Sequence, residues 1–181
     1  MSRTTYYTAT TLDGFIADER HSLDWLVNQD IDRTGPLNYD EFIARVGAVI
    51  MGASTYEWIV EHHVAKGEPW SYSLPSWVFT HRELAAVDGA DIRFVRDDVK
   101  AVHAEAVAAA GGKDIWIVGG GDLAGQFADA GLLDEMLVSI APVTLGAGAP
   151  LLPRRIALRL REVAQNRAFV AASYDVVGPL S

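Results

Sequence analysis

Residues 114–127 read DIWIVGGGDLAGQF. An apolar run from Ile115 to Val118 meets three consecutive glycines, Gly119, Gly120 and Gly121, and then an acid and the opening turns of a helix over Gly121 to Ala130, which Gly131 closes. A strand that hands over to a helix through residues without side chains presents unpaired backbone N–H groups at the positive end of a helix dipole. Such a corner suits a phosphate. The competing reading is a tight turn whose glycines only let helix and strand pack closely.

The letters of this corner also satisfy G-x-G-x-x-A, the form of a dinucleotide fingerprint of Rossmann type. That fold needs an acid about 20 positions on, at the end of the next strand, to hold a ribose. Here that strand ends in Ser139-Ile140-Ala141-Pro142, without an acid. The Rossmann domain is therefore rejected and the phosphate-binding corner kept.

Two further corners have the same grammar. Val46 to Met51 is a short apolar run bounded by Gly52, and a helix over Ser54 to His62 follows, opened by Ser54 or Thr55 as N-cap and phosphate-facing hydroxyl. Trp77 to Thr80 is another strand, and just beyond it stand His81 and Arg82, whose guanidinium could take a terminal phosphate through two parallel hydrogen bonds.

The rest of the chain is read around these corners. Thr4 to Thr10 forms a first strand ending at the Asp13-Gly14 turn, and Ile92 to Val95 another. Helices cover Asp40 to Arg45 and Asp97 to Ala110. Glu135 to Ile140 alternates as a strand, Pro142 to Pro153 is a Gly/Pro-rich connection, and Leu158 to Val163 pairs with Arg167 to Val176 in a hairpin turning at Gln165-Asn166. Repeated β-α-β order means a largely parallel sheet covered on both faces, finished by antiparallel strands, about eight in all.

Composition bounds the function. At 181 residues and 50% hydrophobic, the chain fits one domain over residues 1–181. Fifteen basic residues against 24 acidic ones give net −9, scattered rather than striped, so nucleic acid is not an expected partner. There is no cysteine, which excludes disulfides, zinc knuckles, iron–sulfur clusters and thiol nucleophiles. No apolar run approaches the ~20 residues a bilayer demands, so no membrane association and a cytoplasmic location are expected. His62-His63 has no third ligand spaced to join it, and no metal is expected.

Taken together, VIMGASTYE, VFTHR and IWIVGGGDLAGQF, in this order and spacing, resemble the dihydrofolate reductase fold. The opening TTLDGFIAD and the later LLDEMLVSIAPVTLGAGAPLL are closer to the C-terminal reductase domain of the bifunctional riboflavin-biosynthesis deaminase-reductase. The likeness runs from about Tyr6 to Val176, and no His-Glu with Pro-Cys-x-x-Cys zinc motif accompanies it, so a stand-alone reductase is expected. It implies an α/β three-layer fold, NADPH as cofactor, a small-molecule substrate and a homodimer.

Carried over by position, the resemblance implies that Ala9, Leu12, Asp13, Gly14 and Ile16 border the nicotinamide and substrate cleft. Gly52, Ser54 and Thr55 would meet the phosphates from one side, and Val118, Gly119, Gly120, Gly121, Asp122 and Leu123 from the other. Thr80, His81 and Arg82 would face the adenosine ribose and its 2′-phosphate; Ala53 stands where a basic residue is common, so selectivity for NADPH rests on Arg82. Asp13 and Asp40 are the candidate carboxylates for catalysis, with Trp25 and Tyr56 candidates for the substrate wall. Asp40 lies several residues nearer the following strand than a folate-binding acid would, so dihydrofolate is not the first expectation. The alternatives are a dihydrofolate or pteridine reductase and a nucleotide- or drug-binding module that lost catalysis.

Overall fold

The computed structural model describes residues 2–180. In chain order the elements are β1 (Thr4–Thr11), β2 (Phe15–Ala17), α1 (Asp24–Val27), α2 (Tyr39–Ala44), β3 (Val46–Gly52) and α3 (Ala53–His62). A 3₁₀ turn at Val64–Lys66 leads to β4 (Ser76–Phe79), β5 (Ile92–Val95), α4 (Val99–Ala109), β6 (Asp114–Gly119) and α5 (Gly121–Asp129). The chain finishes with β7 (Glu135–Ala141), β8 (Ala149–Pro150), β9 (Ile156–Asn166) and β10 (Phe169–Pro179).

Eight strands form one sheet in the order β5-β4-β3-β6-β1-β7-β10-β9. The first six run parallel, and the β9–β10 hairpin adds two antiparallel strands beyond β7. Side chains alternate across each strand, and a sheet covered on both faces needs both phases apolar. That is why Val46 to Met51 and Ile115 to Val118 read as unbroken runs. Tyr6, Ile50, Trp77, Ile115, Ile117 and Met136 pack with Val102, Ala106, Leu123 and Phe127 of α4 and α5. Val49, Met51, Val78, Trp116 and Leu137 pack with Phe42, Tyr56 and Ile59 of α2 and α3. Fully burying a side chain such as Phe127 stabilises by about 1.5–3 kcal/mol.

The amino ends of the strands are closed by charge. Glu135, 1% exposed, accepts from the Thr5 hydroxyl at 3.2 Å and from Arg45 at 3.4 Å, and pairs with Arg161. No helix among the described residues is long and apolar enough to cross a membrane.

Two features were not anticipated and two readings are corrected. Residues around Trp25 form the short helix α1. β2 and β8 pair as a separate two-stranded ribbon that sequence alone did not suggest. Helix α3 starts at Ala53 with Gly52 as N-cap, so neither Ser54 nor Thr55 caps it. The hairpin turns one pair later than expected, because Asn166 still pairs with Phe169 and Arg167 takes the positive φ of 49°.

Candidate functional site

Strands β4, β3 and β6 are consecutive neighbours, and Met51 lies opposite Gly119 while Gly52 lies opposite Phe79. The three corners anticipated from sequence therefore sit side by side at one edge of the sheet. Helices α3 and α5 both begin there, with Gly52 and Gly120 as N-caps in extended backbone and no side chain capping either. The amides of Ala53, Ser54 and Thr55 and of Gly121, Asp122 and Leu123 occupy the first turns, where an α-helix supplies no partner of its own.

Close approach explains the glycines. A Cβ on Gly119 would stand 2.8 Å from Thr55 Oγ1, and a Cβ on Gly121 only 2.1 Å from the Pro150 carbonyl oxygen. The first contact holds the two corners against each other; the second seats α5 under β8. Ile16 of β2 reaches within 3.9 Å of the position a Gly120 Cβ would take, so the ribbon roofs the glycine corner. Asp122 turns aside: its carboxylate accepts from Gln126 and Arg154, which together hold it below the ordinary range.

The third corner is differently made. Thr80 is buried, and its hydroxyl accepts from the Arg82 amide at 3.0 Å and donates to the Arg82 carbonyl at 3.1 Å, closing a local turn that leaves His81 exposed. The Arg82 guanidinium donates to both oxygens of Glu57, at 2.8 and 2.7 Å.

Beside β1 and β6 a cavity of about 660 Å³ opens, lined among others by Ala9, Val118, Trp116, Tyr72, Asp30 and Arg33. Ala9 and Val118, both named from the resemblance, line this cavity together. Tyr7 stacks on Phe42 at 4.3 Å and donates its hydroxyl to Leu37; burial, with Tyr39 adding, pushes its pKa up to about 12. Burial also raises Tyr72. Both phenols stay neutral at physiological pH.

Two carboxylates stand elsewhere than the cavity wall. Asp40 is exposed in the first turn of α2. Asp13 accepts from the Thr11 hydroxyl at 2.6 Å, Leu145 N–H at 3.0 Å and Gly146 N–H at 2.7 Å. The Thr11 bond first, then the two amides, lowers its pKa. Asp13 thus clamps the 142–153 connection onto the end of β1. Gly14 and Leu12 belong to the same clamp, through Leu151 N–H to the Gly14 carbonyl at 2.9 Å and Leu12 N–H to the Val143 carbonyl at 2.8 Å. Tyr56 is 2% exposed and bonded to the Ala85 carbonyl, a core residue rather than a substrate wall. Trp25 is not part of the cavity lining, whereas its neighbours Leu26 and Val27 are.

The carboxylate at the cavity is Asp30, which sequence reading missed. Arg167 donates to it at 3.2 Å from the turn of the distant hairpin. Its signal was weak: an acid in VNQDID looks like any polar connection, and only the folded hairpin brings Arg167 to it.

The model of the RibD C-terminal domain matches residues 4–167. The uncharacterized protein YwjB of Bacillus subtilis (strain 168) is 34% identical over 177 residues, covering 95% of this chain and 97% of its own. A solved structure from Shewanella sp. PV-4, named for riboflavin biosynthesis, superposes with a TM-score of 0.80 at 25% identity, over 97% of this chain and 99% of that one. Dihydrofolate reductase from Enterococcus faecalis, complexed with NADP(H), superposes at 0.56 with 13% identity over 97% and 96%, a likeness of fold.

Proposed function

The chain belongs to the RibD C-terminal domain family, and on that premise we propose that it is an NADPH-dependent reductase, one domain over residues 1–181, which moves a hydride to a small heterocycle. The phosphoribosylamino-pyrimidine of riboflavin synthesis is the first acceptor of that class. The observation that carries this reading is the pair of helix starts, α3 and α5, free of side-chain caps and held in contact through Gly119 and Thr55. Six amides at two dipole ends suit a diphosphate, and a methyl at Gly119 or Gly121 would collide with Thr55 or with the Pro150–Leu151 backbone and push the two starts apart.

When bound, the nicotinamide supplies the hydride, and the protein supplies position, a dry cleft and a proton. Ala9 and Val118 carry short side chains, which let a ring approach β1 and β6. Trp116 and Tyr72 wall the acceptor from water. Asp30, oriented by Arg167, takes the proton-handling role first assigned to Asp13 and Asp40. Arg33 lines the same cavity without an ion pair among the described residues, and so is available to an acceptor's phosphate.

Dihydrofolate is the second reading, favoured by one observation, the carboxylate of Asp30 at the cavity wall. A homodimer is part of the proposal too. Leu158, Leu160, Val163 and Val170 are exposed, and register puts them on one side of the hairpin, opposite or alongside Val176, Tyr174 and Ala172. Sedimentation of a monomer at micromolar concentration would remove that part.

The experiment is titration with NADPH and NADH followed by an acceptor screen including the pyrimidine and dihydrofolate. Oxidation of NADPH by the pyrimidine is expected. Binding without turnover of any acceptor would point to a binding module that kept the fold, and absence of binding would withdraw the reductase reading.

A further inference from the structure

The corner after β4 holds a conflict. A 2′-phosphate is close to doubly charged and offers three acceptor oxygens, so it is best met by an arginine fork with nothing else on it. In this chain both terminal nitrogens of Arg82 are already engaged by the two carboxylate oxygens of Glu57, in parallel bonds of 2.8 and 2.7 Å. Glu57 projects from α3 one turn beyond the amides of Ala53, Ser54 and Thr55, so this ion pair stands beside the anion-binding corner itself. The first turn of α3 adds no compensating cation, because position 53 is alanine.

The pair is half exposed, at 58% for Arg82 and 43% for Glu57, so it stays open to a ligand. Three of the five guanidinium donors remain for an incoming phosphate, but the Glu57 charge stays within a few ångströms of it and repels it. An unphosphorylated ribose meets different chemistry. Its 2′-hydroxyl can donate to the Glu57 carboxylate and accept from Arg82, so the same pair satisfies it without repulsion.

We propose that Glu57 sets the dinucleotide selectivity of this protein: by holding Arg82 it keeps the preference for NADPH low and leaves NADH a usable cofactor. The inference rests on the reading of the α3–α5 corner as a dinucleotide site and adds to it the residue that weighs the 2′-phosphate.

The test is direct binding of NADPH and NADH, followed by nucleotide fluorescence or calorimetry, to the wild type, Glu57→Gln and Arg82→Gln. Wild-type dissociation constants are expected to lie within about tenfold of each other, since an ion pair already formed leaves little net charge for the phosphate. Glu57→Gln is expected to tighten NADPH by about tenfold, to weaken NADH by about threefold because its 2′-hydroxyl exchanges a carboxylate acceptor for an amide, and to steepen the salt dependence for NADPH. Arg82→Gln is expected to invert the order in favour of NADH, because the carboxylate then faces the phosphate alone. Thermal unfolding of Glu57→Gln should match the wild type, since exposed pairs contribute little to stability. Binding of both nucleotides with a ratio that Glu57→Gln does not move would overturn this inference and leave the reductase reading standing. Failure of every variant to bind either nucleotide would overturn both.

Discussion

The five α-helices among the described residues begin in two different ways, with or without a side-chain cap. Asn38 caps α2 by accepting from Glu41 N–H, and Asp98 caps α4 by accepting from Lys100 N–H. Helices α3 and α5 begin with glycine and no side-chain cap. A missing cap costs about 1 kcal/mol, and the chain leaves it missing at the four-residue α1 and at the two helix starts that share one edge of the sheet. Amides left without a partner are a defect in a scaffold and an asset in an anion site, and their location separates the two cases.

The contrast can be broken at Gly52, where the expected effect is largest. Its φ of −86° and ψ of 167° suit any residue, and a Cβ there would meet only Gly119 O and Gly120 N at 3.8 Å. Gly52→Asp should therefore fold, cap α3, and weaken NADPH binding by about 100-fold by placing a carboxylate on the phosphate amides. Calorimetry of the variant checks this; unchanged affinity would mean the α3 amides are not used.

Asp30 offers the next effect. Asp30→Asn should lower turnover by about 100-fold, in the range of lost general acid–base catalysis, with the dissociation constant of NADPH unchanged within about twofold. Steady-state kinetics set against direct binding separates the two quantities, and a loss in binding alone would return Asp30 to a structural role.

The capped helices supply the control. Asn38→Ala and Asp98→Ala should each lower folding stability by about 1 kcal/mol in urea titrations and leave dinucleotide affinity untouched. A change in affinity comparable with that of Gly52→Asp would erase the distinction between the two kinds of start.

How much of this was open to reading varies by element. Val46 to Met51 and Ile115 to Val118 announced themselves because doubly covered strands must be apolar in both phases, and the glycines after them marked the corners. β2 and β8, three and two residues long, have no local signature. They exist because Leu12 and Asp13 bind the 142–153 connection while the Thr11 hydroxyl holds Asp13 and the Phe15 amide, which brings Phe15 opposite Pro150. Asp13 was legible as the acid of a turn after β1, but its bonds were not, since its partners Leu145 and Gly146 lie more than a hundred residues away. Arg82 was legible as a cation; its engagement by Glu57 depends on how α3 packs beside β4.

The smallest effect expected concerns that clamp. Asp13 has a folded pKa lowered from 3.8, so its contribution is complete above that value and is lost as pH falls through the lower folded one. Exchange of the Leu145 and Gly146 amides should therefore gain relative to other protected amides only below about pH 4, and Asp13→Asn should remove that pH dependence. A transition near neutrality would assign the loop to another group.

The central claim is that the free amides of α3 and α5 bind one dinucleotide together. The most direct test is an amide ¹⁵N–¹H spectrum of the protein titrated with NADPH. Residues 53–55 and 121–123 should shift together, with one affinity, while Glu41 and Lys100 at the capped starts of α2 and α4 stay in place. Saturation that leaves those six amides unmoved, or that moves only one of the two groups, would contradict it.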